Sequence, residues 1–272
     1  MKNNPQYEQM ADDSMVRCLD AQAAAIWPYE KPIFENYGLS GNLQVLDLGC
    51  GTCELSYRML QHFEQSTITA VDMIQDHLDY AAQKYAAFGD RLQVQQGDAL
   101  ELDLPADHFD LSICRHMLQA VPDAKGVMAN MIHVTKPGGV IHLLAEDYGM
   151  LHFSNNTPDL DAFWREGPWK FAEETGTDLR SGRKVVHYAH QLGLENIQCH
   201  ILSLDTINTP RELLYAIFAA WKDGYAEPIA EHSSFTLKES QDFFDQILNC
   251  VEDPQQYALW NIPVITATKP LT

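Results

Sequence analysis

One stretch constrains this chain more than any other: Leu43-Gln-Val-Leu-Asp-Leu-Gly-Cys-Gly-Thr-Cys-Glu-Leu-Ser56. Apolar Leu43, Val45, Leu46 and Leu48 run into Gly49-x-Gly51, and a helix-compatible pattern follows. That order predicts a buried strand, a glycine turn and a helix start. Glycines there let the main chain pass where a Cβ would collide, so a ligand can lie against the turn. The third glycine of the dinucleotide fingerprint is missing, because Glu54 takes its place. Asp47, on the strand two residues before Gly49, would repel a pyrophosphate and attract an ammonium or sulfonium group. The expected ligand is cationic.

Strand-like and helix-like segments alternate along the rest of the chain, which predicts a mostly parallel sheet covered on both faces. Met10, Met15, Leu19, Ala23 and Ile26 are spaced as on an amphipathic helix over residues 8–27, punctuated by Pro28 and Pro32 before a short helix through Phe34. Seven strands are expected, at Gln44–Leu48, Thr67–Val71, Leu92–Gln96, Phe109–Cys114, Val140–Glu146, Ile197–Leu204 and Pro263–Thr268. Residues 1–40 read as an N-terminal helical cap and 41–272 as the main domain. Two inserts, at about 148–178 and 208–258, carry a surplus of aromatic residues such as Trp164, Trp169, Trp221 and Tyr225. Apolar material inserted after strand ends predicts a lid over a ligand, or a dimer surface.

Charge removes several classes of partner. Against 38 acidic side chains stand only 18 basic ones, a formal net charge of −20, with no Lys/Arg cluster. Phosphate backbones and anionic membrane surfaces would be repelled, so neither nucleic acid nor membrane is expected as a partner. No apolar run approaches the roughly 20 residues of a membrane span, and no signal peptide is evident. The cysteines are scattered (18, 50, 53, 114, 199 and 250), which fits a reducing cytoplasm. Cys50 and Cys53 form a C-x-x-C, but they flank the glycine turn and are read as packing and backbone contact. His187 and His190 lack a nearby third ligand, so no metal is expected.

The strand–glycine turn closely resembles motif I of the class I S-adenosylmethionine (SAM)-dependent methyltransferases. The segment Phe109–Asp123, followed by Lys136-Pro-Gly-Gly139, is similar to that family's fourth and fifth motifs. The resemblance covers about residues 40–147. It implies a Rossmann-like α/β fold, SAM as cofactor and a binding site at the carboxyl ends of the strands. Gly49, Cys50 and Gly51 would meet the amino-acid end of SAM, with Asp47 near its ammonium. Asp72 would accept from the ribose hydroxyls with Met73 beside the adenine, and Asp98 and Ala99 would read the adenine edge. Cys114 and Arg115 would meet the methionine portion, Arg115 pairing with the carboxylate. From the cap, Tyr7 and Arg17 could reach the carboxylate or sulfonium region.

The methyl acceptor leaves a fainter trace. Methyl transfer is an in-line displacement at an activated carbon, so alignment supplies much of the rate, and a protonated acceptor needs a base. His116 after strand four, with Tyr148 and His152 after strand five, are the expected catalytic positions. The Asn-Pro-Pro-Tyr signature of nucleobase amine methylation is absent after strand four. The expected activity is methyl transfer to a small molecule at O, N, C or S. A SAM-binding protein that transfers no methyl, and a protein methyltransferase, are the alternatives.

Overall fold

The computed structural model describes residues 6–154 and 159–272. Five strands run parallel in the first half: β1 (Gln44–Leu48), β2 (Thr67–Asp72), β3 (Leu92–Gln96), β4 (Phe109–Arg115) and β5 (Thr135–Leu144). With β6 (Leu151–Phe153), β7 (Glu195–Asp205) and β8 (Ala258–Thr268) they form one sheet, ordered β3-β2-β1-β4-β5-β8-β6, with β7 on the other side of β8. β8 alone runs against the other strands, and its pairings with β5, β6 and β7 are all antiparallel. The order reverses between β1 and β4, and ligands of open α/β sheets sit at that switch point.

The sheet has eight strands where the sequence pattern gives seven. The extra strand is β6, inside the first insert. It forms because β8 begins at Ala258, earlier than its alternation suggests, and the added length pairs Leu151 with Trp260 and Phe153 with Ala258. β1 reads as nearly continuous apolar sequence because helices cover both of its faces. Flanking the sheet are α3 (Glu54–His62), α4 (Gln75–Lys84), α5 (Ala124–Val134) and α8 (Gly182–Gln191).

The N-terminal segment differs from expectation. A single turn, α1 (Tyr7–Met10), precedes α2 (Asp13–Glu35), which passes through both Pro28 and Pro32 without a break. Asp12 caps α2 by accepting from the Ser14 amide at 2.8 Å. Each proline removes a helical hydrogen bond, a cost of up to ~3 kcal/mol. Burial of Ile26, Ile33 and Phe34 along the inner face of α2 offsets it, so tertiary packing overrides the local signal. The inserts fold as α6 (Leu160–Glu166) and α7 (Pro168–Thr175), then α9 (Arg211–Glu231) and α10 (Leu237–Glu252). They share one apolar core with α2 and β8, centred on Phe163, Trp164, Phe218, Trp221, Phe244 and Trp260. Among the described residues no helix is long and apolar enough to cross a membrane.

Candidate active site

A cavity opens at the carboxyl ends of the strands, between the sheet and the inserts. At one end it is lined by Gly49, Gly51, Asp72, Met73, Asp98 and Ala99, and at the other by Tyr148, Trp164, Phe171, Trp221, Tyr225 and Phe244. A smaller recess, lined by Asp47, Cys50 and Thr52, shares Gly49, Arg115 and His116 with it.

The polar end is assembled by backbone. Gly49 and Cys50 donate to the Val71 carbonyl at 2.8 and 3.1 Å, which sews the β1 turn to the end of β2. Asp72 then accepts from the Gly51 amide at 2.8 Å and from the Ile74 amide at 2.9 Å. Each carboxylate oxygen keeps a further lone pair for a hydroxyl. Gly49 and Gly51 both sit at positive φ, 73° and 51°, where a side chain would be strained. The space beside them is filled by Met117 and Leu19, so here the glycines serve the turn and its packing as well as any ligand. Asp47 is buried and accepts from the Ser56 hydroxyl at 2.6 Å. Burial pushes its carboxyl up to about 6, against the Ser56 bond and the Arg115 charge.

At the junction of the two ends stands His116, held at φ 52°, a conformation that non-glycine residues rarely adopt. Its Nδ1 contacts Glu146 Oε1. A carboxylate only accepts, so Nδ1 carries the proton of the neutral ring and Nε2 is the basic nitrogen. Nε2 has no hydrogen-bond partner, although it is buried. Glu146 is itself fixed: its carbonyl accepts from Gly182 at 2.9 Å, and a Cβ on Gly182 would come within 2.5 Å of the Ala145 carbonyl. Next along the chain, buried Asp147 receives two bonds from Arg183 at 2.5 and 2.9 Å and so sets the turn that carries Tyr148. The Tyr148 ring packs between Trp164 and Trp221, at centroid distances of 5.4 and 5.2 Å. Burial, with the Glu146 charge, raises its phenol well above the usual tyrosine range.

Not every expected residue lies here. Tyr7 is not in the cavity lining, whereas its neighbour Gln6 is, bonded to Thr177 at 2.7 Å. Arg17 points outward in an exposed ion pair with Asp223 at 2.7 Å. Cys114 is buried in the core beneath the site and lines neither space. His152 is exposed on β6, because alternation along that strand turns it away from buried Leu151. Five polar lining residues escaped the sequence reading: Glu146, Gln119, Gln22, His77 and Gln6. Glu146 follows the end of β5 as Asp72 ends β2, so the strand-end rule that found one applies to the other.

The donor set matches what SAM needs. Carboxylate acceptors for hydroxyls, a raised buried carboxyl (Asp47) and a buried guanidinium with two nitrogens lacking hydrogen-bond partners (Arg115 Nε and Nη2) line the cavity and its adjoining recess. Residues 39–164 match the family model of a methyltransferase domain. Residues 39–164 thus form a class I SAM-dependent methyltransferase domain. Over 167 residues the chain is 31% identical to a demethylmenaquinone methyltransferase of Desulfitobacterium hafniense, covering 56% of the chain and 66% of the relative. It is 35% identical over 111 residues to a ubiquinone biosynthesis O-methyltransferase of Pseudomonas fluorescens, covering 40% of the chain and 46% of the relative. The match thus spans about half the length of that relative. In fold it is similar to a Haemonchus contortus phosphoethanolamine N-methyltransferase solved with SAM, with a TM-score of 0.64 at 16% identity over 99% of this chain and 60% of that one.

Proposed function

We propose that this methyltransferase transfers the methyl group of SAM to a small molecule held in the aromatic end of the cavity. The observation that carries the reading is the place of His116, which borders both the cofactor recess and the aromatic chamber. When bound, SAM supplies a methyl group on a positively charged sulfur that a nucleophile displaces in line. The protein's part is to hold, orient and deprotonate. Asp72 accepts from the ribose, Asp98 and Ala99 meet the adenine with Met73 beside it, and Asp47 and Arg115 take the ammonium and carboxylate. His116 Nε2 removes the acceptor's proton, and Glu146 stabilises the imidazolium that results. Tyr148 stays a phenol, so it donates a hydrogen bond and does not serve as base.

The chamber also supports a choice of acceptor. Of the described residues lining the cavity, Arg115 alone is a lysine or arginine, and the acceptor end is walled mostly by aromatic side chains. An acceptor bearing a carboxylate or phosphate would enter without a counter-charge. An uncharged molecule with one proton-bearing nucleophile, such as a hydroxyl, fits better. Enclosure by α2, α6, α7 and α9 disfavours a long peptide. Six free thiols support a cytoplasmic location, and a homodimer is proposed as the assembly, to be read by sedimentation. The division into a cap over 1–40 and a cofactor-binding body over 41–272 belongs to the same proposal.

Isothermal titration with SAM and S-adenosylhomocysteine tests the cofactor. Failure of both to bind at sub-millimolar concentration ends the proposal. Incubation with isotopically labelled SAM and metabolite mixtures, followed by mass spectrometry, then reads the transfer itself.

A further inference from the structure

Behind Arg115, on the side away from the cavity, lies a buried polar chain that the reaction scheme above leaves unused. Glu30 of α2 is completely buried, and its Oε1 sits 3.2 Å from Arg115 Nε. The same oxygen accepts from His142 Nε2 on β5 at 2.9 Å. His142 Nδ1 in turn faces the Tyr37 hydroxyl at 2.7 Å, and the imidazole stacks on Phe34 at 4.4 Å. These contacts assign every proton: Tyr37 donates to Nδ1, and Nε2 donates to a carboxylate that can only accept. Burial works against both charged forms, but Arg115 and His142 outweigh it and hold Glu30 ionised, while His142 stays neutral. A carboxylate taken wholly out of water is costly unless its partners are fixed. Here the partners of Oε1 are fixed by two strands of the sheet, while Oε2 is buried without a hydrogen-bond partner.

Arg115 has two carboxylates within its electrostatic reach. Asp47, the expected ammonium partner, lines the smaller recess together with Arg115 and feels its charge. If the guanidinium paired with Asp47, both groups needed for the amino-acid end of SAM would be consumed at once. Glu30 pairs with Nε as an ion pair at 3.2 Å without a hydrogen bond, and Nη2 of this cavity-lining arginine has no hydrogen-bond partner either.

We propose that Glu30 is a positioning residue for cofactor binding: it holds Arg115 off Asp47, so that the two side chains receive the carboxylate and ammonium of SAM separately. The cap helix is then a working part of the cofactor site. This inference rests on the SAM reading, and it moves the cap's contribution from Tyr7 and Arg17 to a residue that never touches the ligand.

The test compares two ligands, S-adenosylhomocysteine and 5′-methylthioadenosine, which shares the nucleoside but lacks the amino and carboxylate groups. In Glu30→Gln the shape is kept and the charge removed. Affinity for S-adenosylhomocysteine falls about ten-fold, as for one lost charge-assisted contact, while methylthioadenosine binds within about two-fold of wild type. Unmasking the Arg115 cation would by itself strengthen carboxylate binding, so tighter binding of S-adenosylhomocysteine overturns the proposal. Equal loss for both ligands assigns Glu30 a merely structural role and overturns it too, as does no change for either. Should Glu30→Gln give no cooperative melt, His142→Asn leaves Glu30 in place but is too short to hold it. The same selective loss, about three-fold, is expected there, and a loss shared by both ligands, or none, again overturns the proposal. Wild-type protein that binds neither ligand would instead sink the SAM reading.

Discussion

The cofactor end of the cavity is made by turns at the ends of β1, β2 and β3, with Arg115 closing β4. The acceptor end is made by helices α2, α6, α7 and α9, which lie far apart in sequence. In the first region the backbone does the placing. Parallel pairing sets Asp47 beside Ala70 and Asp72 beside Gln96, so the ends of neighbouring strands fall on one rim. In the second, side chains place one another: Phe163 stacks on Phe243 at 4.7 Å, and Trp221 donates to Cys18 Sγ at 3.1 Å. A site built on register keeps its geometry while loops vary. A site built on packed rings changes shape with each substitution.

That contrast can be broken experimentally. The largest effect is expected at the junction. His116→Gln should lower kcat for methyl transfer by about 10²–10⁴-fold, the usual worth of a general base, while the dissociation constant of SAM stays near wild type. Loss of SAM binding in that variant would make His116 part of the cofactor end. Phe163→Ala removes a fully buried ring from the core of the inserts. It should cost about 3–5 kcal/mol in urea unfolding. Were SAM affinity of the folded variant to collapse with it, the two regions would not be separable. Asp72→Ala removes the acceptor of the Gly51 and Ile74 amides together with the ribose partner, and SAM should bind about 100-fold more weakly. Unchanged affinity would refute the strand-end assignment.

The smallest effect sharpens the comparison through pH. Burial raises Asp47 from its ordinary value of 3.8 to about 6. The folded protein without ligand therefore holds that proton more tightly than the unfolded chain. The contribution to stability is fully present below 3.8 and is lost as pH rises through about 6. A cationic ligand selects the ionised carboxylate and pulls the other way. SAM affinity should fall below pH 6, by no more than about ten-fold per unit, and titration calorimetry in Asp47→Asn should lose that limb. A flat profile in the wild type would separate Asp47 from the ammonium.

Legibility follows the same divide. Gly49, Gly51, Asp72, Met73, Asp98, Ala99 and Arg115 were readable as a set because a strand's end announces itself in the sequence, and they do line the cavity. Tyr7 and Arg17 were proposed from reach alone, and they lie outside it. His152 was proposed from its distance to a strand end, but β6 formed there and alternation turned it outward. Glu30 carried no signal at all: an acid on a helix is ordinarily a solvated charge, and only the packing of α2 against β5 buries it.

Local chemistry determined much by itself. The abrupt change from apolar strand to Gly49-x-Gly51, with Asp47 just before it and Asp72 ending the next strand, pointed to a parallel sheet and to a cationic ligand. The sequence could not reveal how α2 runs through Pro28 and Pro32, which ring of the inserts meets which, or that Glu146 holds His116. Strand ends are decided by residues adjacent along the chain. Helix docking and buried ion pairs are decided by surfaces that meet only once the chain has folded, where burial turns ordinary acids into fixed partners.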